Sequence, residues 1–270
     1  MLFLNLKGGR MIAIPKKVTE RIVKEVGRFQ TILKSAKDRD INESDTVTII
    51  KDILSQVFGF DKYTDVTSEY CIRNTYCDLA IKVDGNLKYL IEVKAIGLDL
   101  KNNHLQQALN YGANQGINWV ILTNGITWEI YRIKFEKPIS AERVCSFDFL
   151  SINSRKKDDQ EKLFLLCKEG TSKSVIDDFH ERAQMVNKFT VAAILQGQTL
   201  LESVRKELKK LSTGLKVEID EIENILKAEV LKREVIEGEN AQKALAKIKK
   251  AATRQKKLSA EPVLSPAPAK

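Results

Sequence analysis

Residues 77–96 read CDLAIKVDGNLKYLIEVKAI, two apolar, β-prone runs around the turn Asp84-Gly85-Asn86. That pattern predicts a hairpin of two largely buried strands. A buried strand tolerates charge poorly, yet Glu92 and Lys94 interrupt the second run with only Val93 between them. Residues two apart on a strand project to one face, so Glu92 and Lys94 point together and Val93 turns into the core. Asp78 lies on the partner strand of the same hairpin, where it can approach both.

The flanking segments place this hairpin in a layered α/β arrangement. Residues 11–38 carry Val18, Ile22, Val26 and Phe29 at three- and four-residue steps, a helical stripe. Residues 40–45, DINESD, break the chain and start a second helix, which Asn42 or Ser44 can cap. Val47, Ile50, Leu54 and Val57 form its buried stripe, and Gly59 ends it. Residues 64–73 alternate as a strand, and 99–115 read as a helix. Trp119–Thr123 and Ile126–Ile133 flank Asn124-Gly125, a strong hairpin turn signal.

From 171 to 236 the pattern is helical only. Ile176, Phe179, Ala183, Val186, Thr190 and Ala193 follow one face, and Ile219, Ile222, Leu226 and Val230 another. This region is a helical hairpin or small bundle, which either packs within the chain or forms a homodimer through the C-terminal helices. The expected organisation is a sheet-containing domain at 1–150, a helical region at 151–236 and a basic, disordered tail at 237–270.

Charge is concentrated in that tail. The chain carries +9 overall, and residues 241–270 hold eight basic residues and one acidic residue, leaving the remainder close to neutral. Overall charge therefore does not mark the folded part as a nucleic-acid surface, whereas the tail is expected to add salt-sensitive DNA affinity. Cys71, Cys77, Cys145 and Cys167 make no CxxC pair, and His104 and His180 are the only histidines, which argues against structural zinc and for reduced, mostly buried thiols. The opening MLFLNLKGGR is too short an apolar run for a signal peptide or membrane span, and the expected location is cytoplasmic with no membrane association.

The residue types around the hairpin suit phosphodiester hydrolysis. Asp78, Glu92 and the Val93 carbonyl are hard oxygen donors of the kind Mg²⁺ takes, with Mn²⁺ as the alternative. Lys94 can orient an attacking water and stabilise charge on the phosphate; beside two carboxylates it should stay protonated. Gln107 and Tyr111 stand four apart on one face of the following helix, although Gln106 is an equal candidate by composition. Glu43 opens the second helix, as a metal or water ligand or merely as an acid at the helix dipole. Each piece has a bland alternative: a solvated acid-x-Lys strand face, a turn aspartate, a surface glutamine.

As an ordered set, Asp78, Glu92-Val93-Lys94 and Gln107 with Tyr111 resemble the PD-(D/E)xK nuclease constellation. Residues 42–133, with NESDTVTIIKDILSQVFGF, TSEYCIRNTYCDLAI, YLIEVKA and HLQQALNYGANQGINWVILTNGITWEIY, resemble the N-terminal nuclease domain of type I restriction enzyme R subunits, in a small stand-alone form. The resemblance implies a restriction-endonuclease-like core, a mixed central sheet flanked by helices. It further implies an Mg²⁺-dependent endonuclease acting on DNA in restriction, defence or DNA processing. Asp78, Glu92 and Lys94 would be its catalytic set, with Glu43, Gln107 and Tyr111 in support and Glu69 a weaker candidate. Such subunits carry an ATP-driven motor; this chain has no G-x-x-x-x-G-K-[ST] loop, and GTSKS at 170–174 lacks the spacing, so no ATP is expected. The alternative is a catalytically silent module of the same fold that binds nucleic acid or a partner.

Overall fold

The structure, a computed structural model, describes residues 13–72, 75–212 and 214–258. The chain divides into two compact units, Met1–His180 and Glu181–Lys270.

In the first unit, helices α1 (Lys16–Asp38) and α2 (Glu43–Gln56) precede strands β1 (Val66–Ile72), β2 (Thr75–Val83) and β3 (Asn86–Val93). Helix α3 (Asn102–Gln115) leads to β4 (Trp119–Thr123), β5 (Thr127–Lys134) and β6 (Ser140–Asp148). The six strands pair in sequence order; β3–β4 is parallel and every other pair is antiparallel. A parallel pair needs a crossover, and α3 supplies it. The result is a mixed sheet with flanking helices, the layered α/β arrangement of the sequence pattern and the mixed sheet that the family resemblance implies.

Side-chain alternation gives the sheet two apolar faces. Leu79, Ile81, Ile91, Val93, Ile121, Trp128 and Ile130 share a core with Ile22, Val26, Phe29 and Leu33 of α1 and Ile50, Ile53 and Leu54 of α2. Ala80, Leu90, Val120, Leu122, Tyr131 and Ile133 pack with Ala108, Leu109 and Tyr111 of α3 on the other face. The α2 stripe is rotated slightly from expectation: Thr46 and Ile53 are buried while Val47 is only partly covered. Asn42 is the cap that forms, its Oδ1 accepting from the Asp45 N–H at 2.9 Å. Gly59, at φ +82°, takes the left-handed conformation that closes the helix. Gly112 lets α3 lie close on the sheet, since a Cβ there would collide with Ile133 and Val120.

Two further features of the first unit differ from the sequence reading. Strand β6 was not foreseen; it is an edge strand in which only Val144 and Phe147 are buried, so its alternation is weak. Residues 151–180, expected outside the sheet domain, pack into the first core through Ile152, Leu163, Phe164, Leu166, Ile176 and Phe179. Helices α4 (Lys157–Phe164) and α5 (Lys168–Ser172) lie in this segment, and α6 (Val175–Met185) begins in it. Arg21 of α1 ties to it through paired bonds to Glu169 at 2.9 and 2.8 Å.

The second unit is built from α7 (Lys188–Leu195), α8 (Gln198–Leu211), α9 (Ile219–Ile225), a π-helical turn at Leu226–Val230, α10 (Arg233–Ile236) and α11 (Glu239–Leu258). The face predicted to run on from Ala183 to Ala193 is broken, because Asn187 caps a new helix by accepting from the Phe189 and Thr190 N–H groups. Residues 239–258, read from sequence as a frayed start to the tail, form α11: the stretch is rich in Ala and Lys, and Ala241 and Ala244 are buried. The disorder expected beyond that helix concerns 259–270, which lie outside the described residues. Among the described residues no helix is long and apolar enough to cross a membrane.

Candidate active site

The hairpin register builds the site. One step beyond the Leu79–Ile91 pair, Asp78 stands opposite Glu92. Asp78 is two residues from Ala80 and Glu92 two from Leu90, so both carboxylates share the α3 face of the sheet. Val93 is buried on the opposite face, as the alternation requires. Lys94 continues the parallel ladder past β3, its backbone N–H donating to the Thr123 carbonyl at 2.9 Å. Glu43, in the first turn of α2, reaches the same place.

The side chains form one charged cluster. Lys94 Nζ donates to Glu92 Oε1 at 2.8 Å and to Glu43 Oε2 at 3.4 Å. Asp78 Oδ2 accepts from the Val93 N–H at 2.7 Å. Glu92 is 1% exposed, and its second oxygen, Oε2, is buried without a hydrogen-bond partner. A buried carboxylate oxygen left unpaired is costly and calls for a ligand or a proton.

The electrostatics follow from three carboxylates around one ammonium. Burial, then the charge of Asp78, pushes the Glu92 carboxyl up to about 7. Burial likewise raises Asp78, with Glu43 and Glu69 adding to the rise and the Val93 N–H and Lys94 opposing it. Burial works to lower the Lys94 ammonium, but the Glu92 hydrogen bond and the surrounding carboxylates outweigh it, and the net shift is upward. Lys94 is therefore a fixed positive charge at neutral pH, as its neighbours in sequence suggest.

The structure brings Glu43, Asp78, Glu92 and Lys94 together. Gln107 and Tyr111 pair with each other, Gln107 Nε2 donating to the Tyr111 hydroxyl at 3.1 Å. Among the described residues neither bonds to Asp78, Glu92 or Lys94. Gln106 is exposed beside them. Glu69 is an exposed residue of β1 at φ +48°, opposite Asp78 in a register that is unchanged from Ser68–Leu79 to Tyr70–Cys77. Its charge reaches Asp78. Val93, expected to offer its carbonyl, is seen using its N–H to hold Asp78.

Sequence reasoning gave His104 no place in the site. Its Nδ1 accepts from the Lys101 N–H at 3.3 Å, and burial followed by the charge of Lys94 lowers its pKa, which sets the N-terminal end of α3 beside the cluster. No sequence signal marks this, since it depends on how α3 returns across the sheet. Of the cysteines, Cys77 and Cys167 are buried, Cys145 is half-buried and Cys71 is exposed; all are free thiols. Among the described residues no three His, Cys, Asp or Glu side chains gather closely enough to cage a metal unaided.

No curated protein and no solved structure matches the chain. A family match does exist and covers about a third of the chain, from α2 into β6. It begins after Glu43 but contains Asp78, Glu92, Lys94, Gln107 and Tyr111. Residues 50–144 match the family model of the type I restriction enzyme R protein N terminus.

Proposed function

We propose that this chain is a divalent-cation-dependent DNA endonuclease of the PD-(D/E)xK type, with a restriction or DNA-processing role. The observation that carries the reading is the buried, unpartnered Oε2 of Glu92, a residue that stands opposite Asp78 of β2 and whose other oxygen holds Lys94. An anionic cluster with one orphaned carboxylate oxygen fits a hard cation. Asp78, Glu92 and the Val93 carbonyl would hold Mg²⁺, or Mn²⁺ in its place, with Glu43 completing the set directly or through water. Two side-chain carboxylates and a carbonyl leave room for the waters and phosphate oxygens that Mg²⁺ retains. A bound ion would supply charge neutralisation at the phosphate and a water of lowered pKa.

The protein's own groups do the rest. Lys94, kept protonated and held by Glu92, positions the attacking water and stabilises the negative charge that builds on the phosphoryl oxygens as the water oxygen bonds to phosphorus and the ester oxygen leaves; the water gives up its proton to solvent and the leaving oxygen takes one from solvent. Gln107 and Tyr111, fixed to each other, present an amide and a hydroxyl to a strand lying along α3. The match of residues 50–144 to a restriction-enzyme segment supports DNA as the substrate.

The test is cleavage of supercoiled, linear and single-stranded DNA with Mg²⁺ or Mn²⁺, beside Asp78→Ala and Glu92→Gln. We expect wild-type protein to cut and either variant to lose about 100-fold or more in rate while keeping its circular dichroism spectrum. A variant that cuts at the wild-type rate refutes the site.

A further inference from the structure

Charged residues make up 30% of the whole chain, yet α3 has none among its 14 residues, NNHLQQALNYGANQ, of which seven are Asn or Gln. One side of the helix is accounted for: Ala108, Leu109, Tyr111 and Gly112 are buried against the sheet. The opposite side is exposed and made of amides. Asn103, Gln107, Asn110 and Asn114 recur at four- and three-residue steps, with Gln106 alongside. These residues line a cleft of about 630 Å³, whose other wall includes the exposed apolar Ile139 from the segment between β5 and β6.

Helix stability does not explain this face. Asn is among the poorer helix formers, and Lys, Glu or Ala would serve a solvated helix better. Solubility does not explain it either, since charge is the usual means. An amide offers a donor and an acceptor side by side without net charge. That pattern matches the edge of a base, above all the N6 donor and N7 acceptor of adenine, while an apolar side chain suits a thymine methyl group. From Asn103 to Asn114 the stripe runs about 16 Å, the length of roughly five base steps. It begins beside the charged cluster, where His104 feels Lys94 and Glu43, and it includes Gln107.

We propose that the amide face of α3 is the base-reading surface of this protein, contacting the base edges of DNA held at the cluster and favouring A·T-containing sites. This inference rests on the reading of the cluster as a DNA-cleaving site. A face without charge adds base preference and contributes nothing to the salt dependence of binding, which comes from phosphate contacts.

The experiment uses the full chain carrying Asp78→Ala to prevent cutting, and selects bound duplexes from a randomised DNA library by sequencing. Asn103→Ala, Gln106→Ala and Asn110→Ala are compared singly and together. Alanine raises helix propensity at these exposed positions, so the variants keep or gain thermal stability, and a lost function is not lost folding. We expect a run of about five positions with an A·T preference, and a loss of about tenfold in discrimination at one position per variant. Affinity for non-specific DNA and its salt slope should stay unchanged. Unchanged base preference in the triple variant overturns the proposal. So does a uniform loss of affinity on every sequence with the base preference intact, which would make the amides phosphate contacts. A parent protein that binds no DNA overturns this inference. If the wild-type chain also fails to cut DNA with Mg²⁺ or Mn²⁺, the cluster reading fails with it; if it cuts without base preference, only the amide-face proposal is lost.

Discussion

Glu92 shows what a functional site demands of a single residue. Its carboxyl is raised to about 7 from an ordinary value of 4.5, first by burial and then by Asp78. Without metal, the folded chain therefore binds a proton that the unfolded chain has already released between those values. Stability from this group is present below about pH 4.5 and falls as pH rises toward 7. Glu92→Gln, neutral throughout, removes that slope. In chelator-containing buffer its stability relative to wild type should grow by on the order of 2 kcal/mol between pH 5 and pH 8, measured by urea denaturation. Lys94 invites the complementary substitution. Lys94→Ala deletes the counter-charge of three carboxylates, so calorimetric Mn²⁺ affinity should hold or rise and DNA binding should persist. Single-turnover cleavage should fall about 100- to 1000-fold, because the ammonium acts on charge that exists only in the transition state. Asp78, Glu92 and Lys94 were legible in the sequence because strand periodicity is local. Glu43 was named as a candidate but could not be told from an ordinary helix-start acid, since 51 residues separate it from Lys94 and only the packing of α2 brings it there.

At the scale of elements, α3 carries two duties on opposite sides. Its inner side depends on Gly112, where the close approach to Val120 and Ile133 leaves no room for a side chain. Gly112→Val should push the helix off β4 and β5, costing about 2 kcal/mol in denaturant titrations and moving Gln107 and Tyr111 with it. Helices α1 and α2, both hairpins and the Asn42 cap could be read from apolar spacing and turn residues. Strand β6 could not: SAERVCSFD buries only Val144 and Phe147, three apart, so at a sheet edge it gives almost no period-two signal. The amide face of α3 stood in the sequence throughout. It became meaningful only when the buried side was known, because an uncharged stripe on a covered face would have been ordinary packing.

The whole molecule resolves into a sheet-bearing unit and a helical unit, and sequence pattern separated the two kinds of structure better than it placed their boundary. Leu163, Phe164 and Leu166 look like any helical stripe, and nothing local says that they join the core of α1. Within the sheet, β1–β2–β3 and β4–β5–β6 are each antiparallel runs of neighbours, joined edge to edge by the single parallel ladder from Leu90–Val120 to Val93–Thr123. Hairpin contacts close short loops, whereas this seam waits for α3 to fold and cross over. The seam should therefore form after the barrier to folding. Ile121→Val should speed unfolding with little effect on the folding rate, giving a φ-value near zero, while Ile81→Val within the first run should slow folding in stopped-flow chevrons. Lys94 bonds across that seam to Thr123, so a nascent chain would hold its two carboxylates in register well before it could place its lysine, and its chemistry would switch on last.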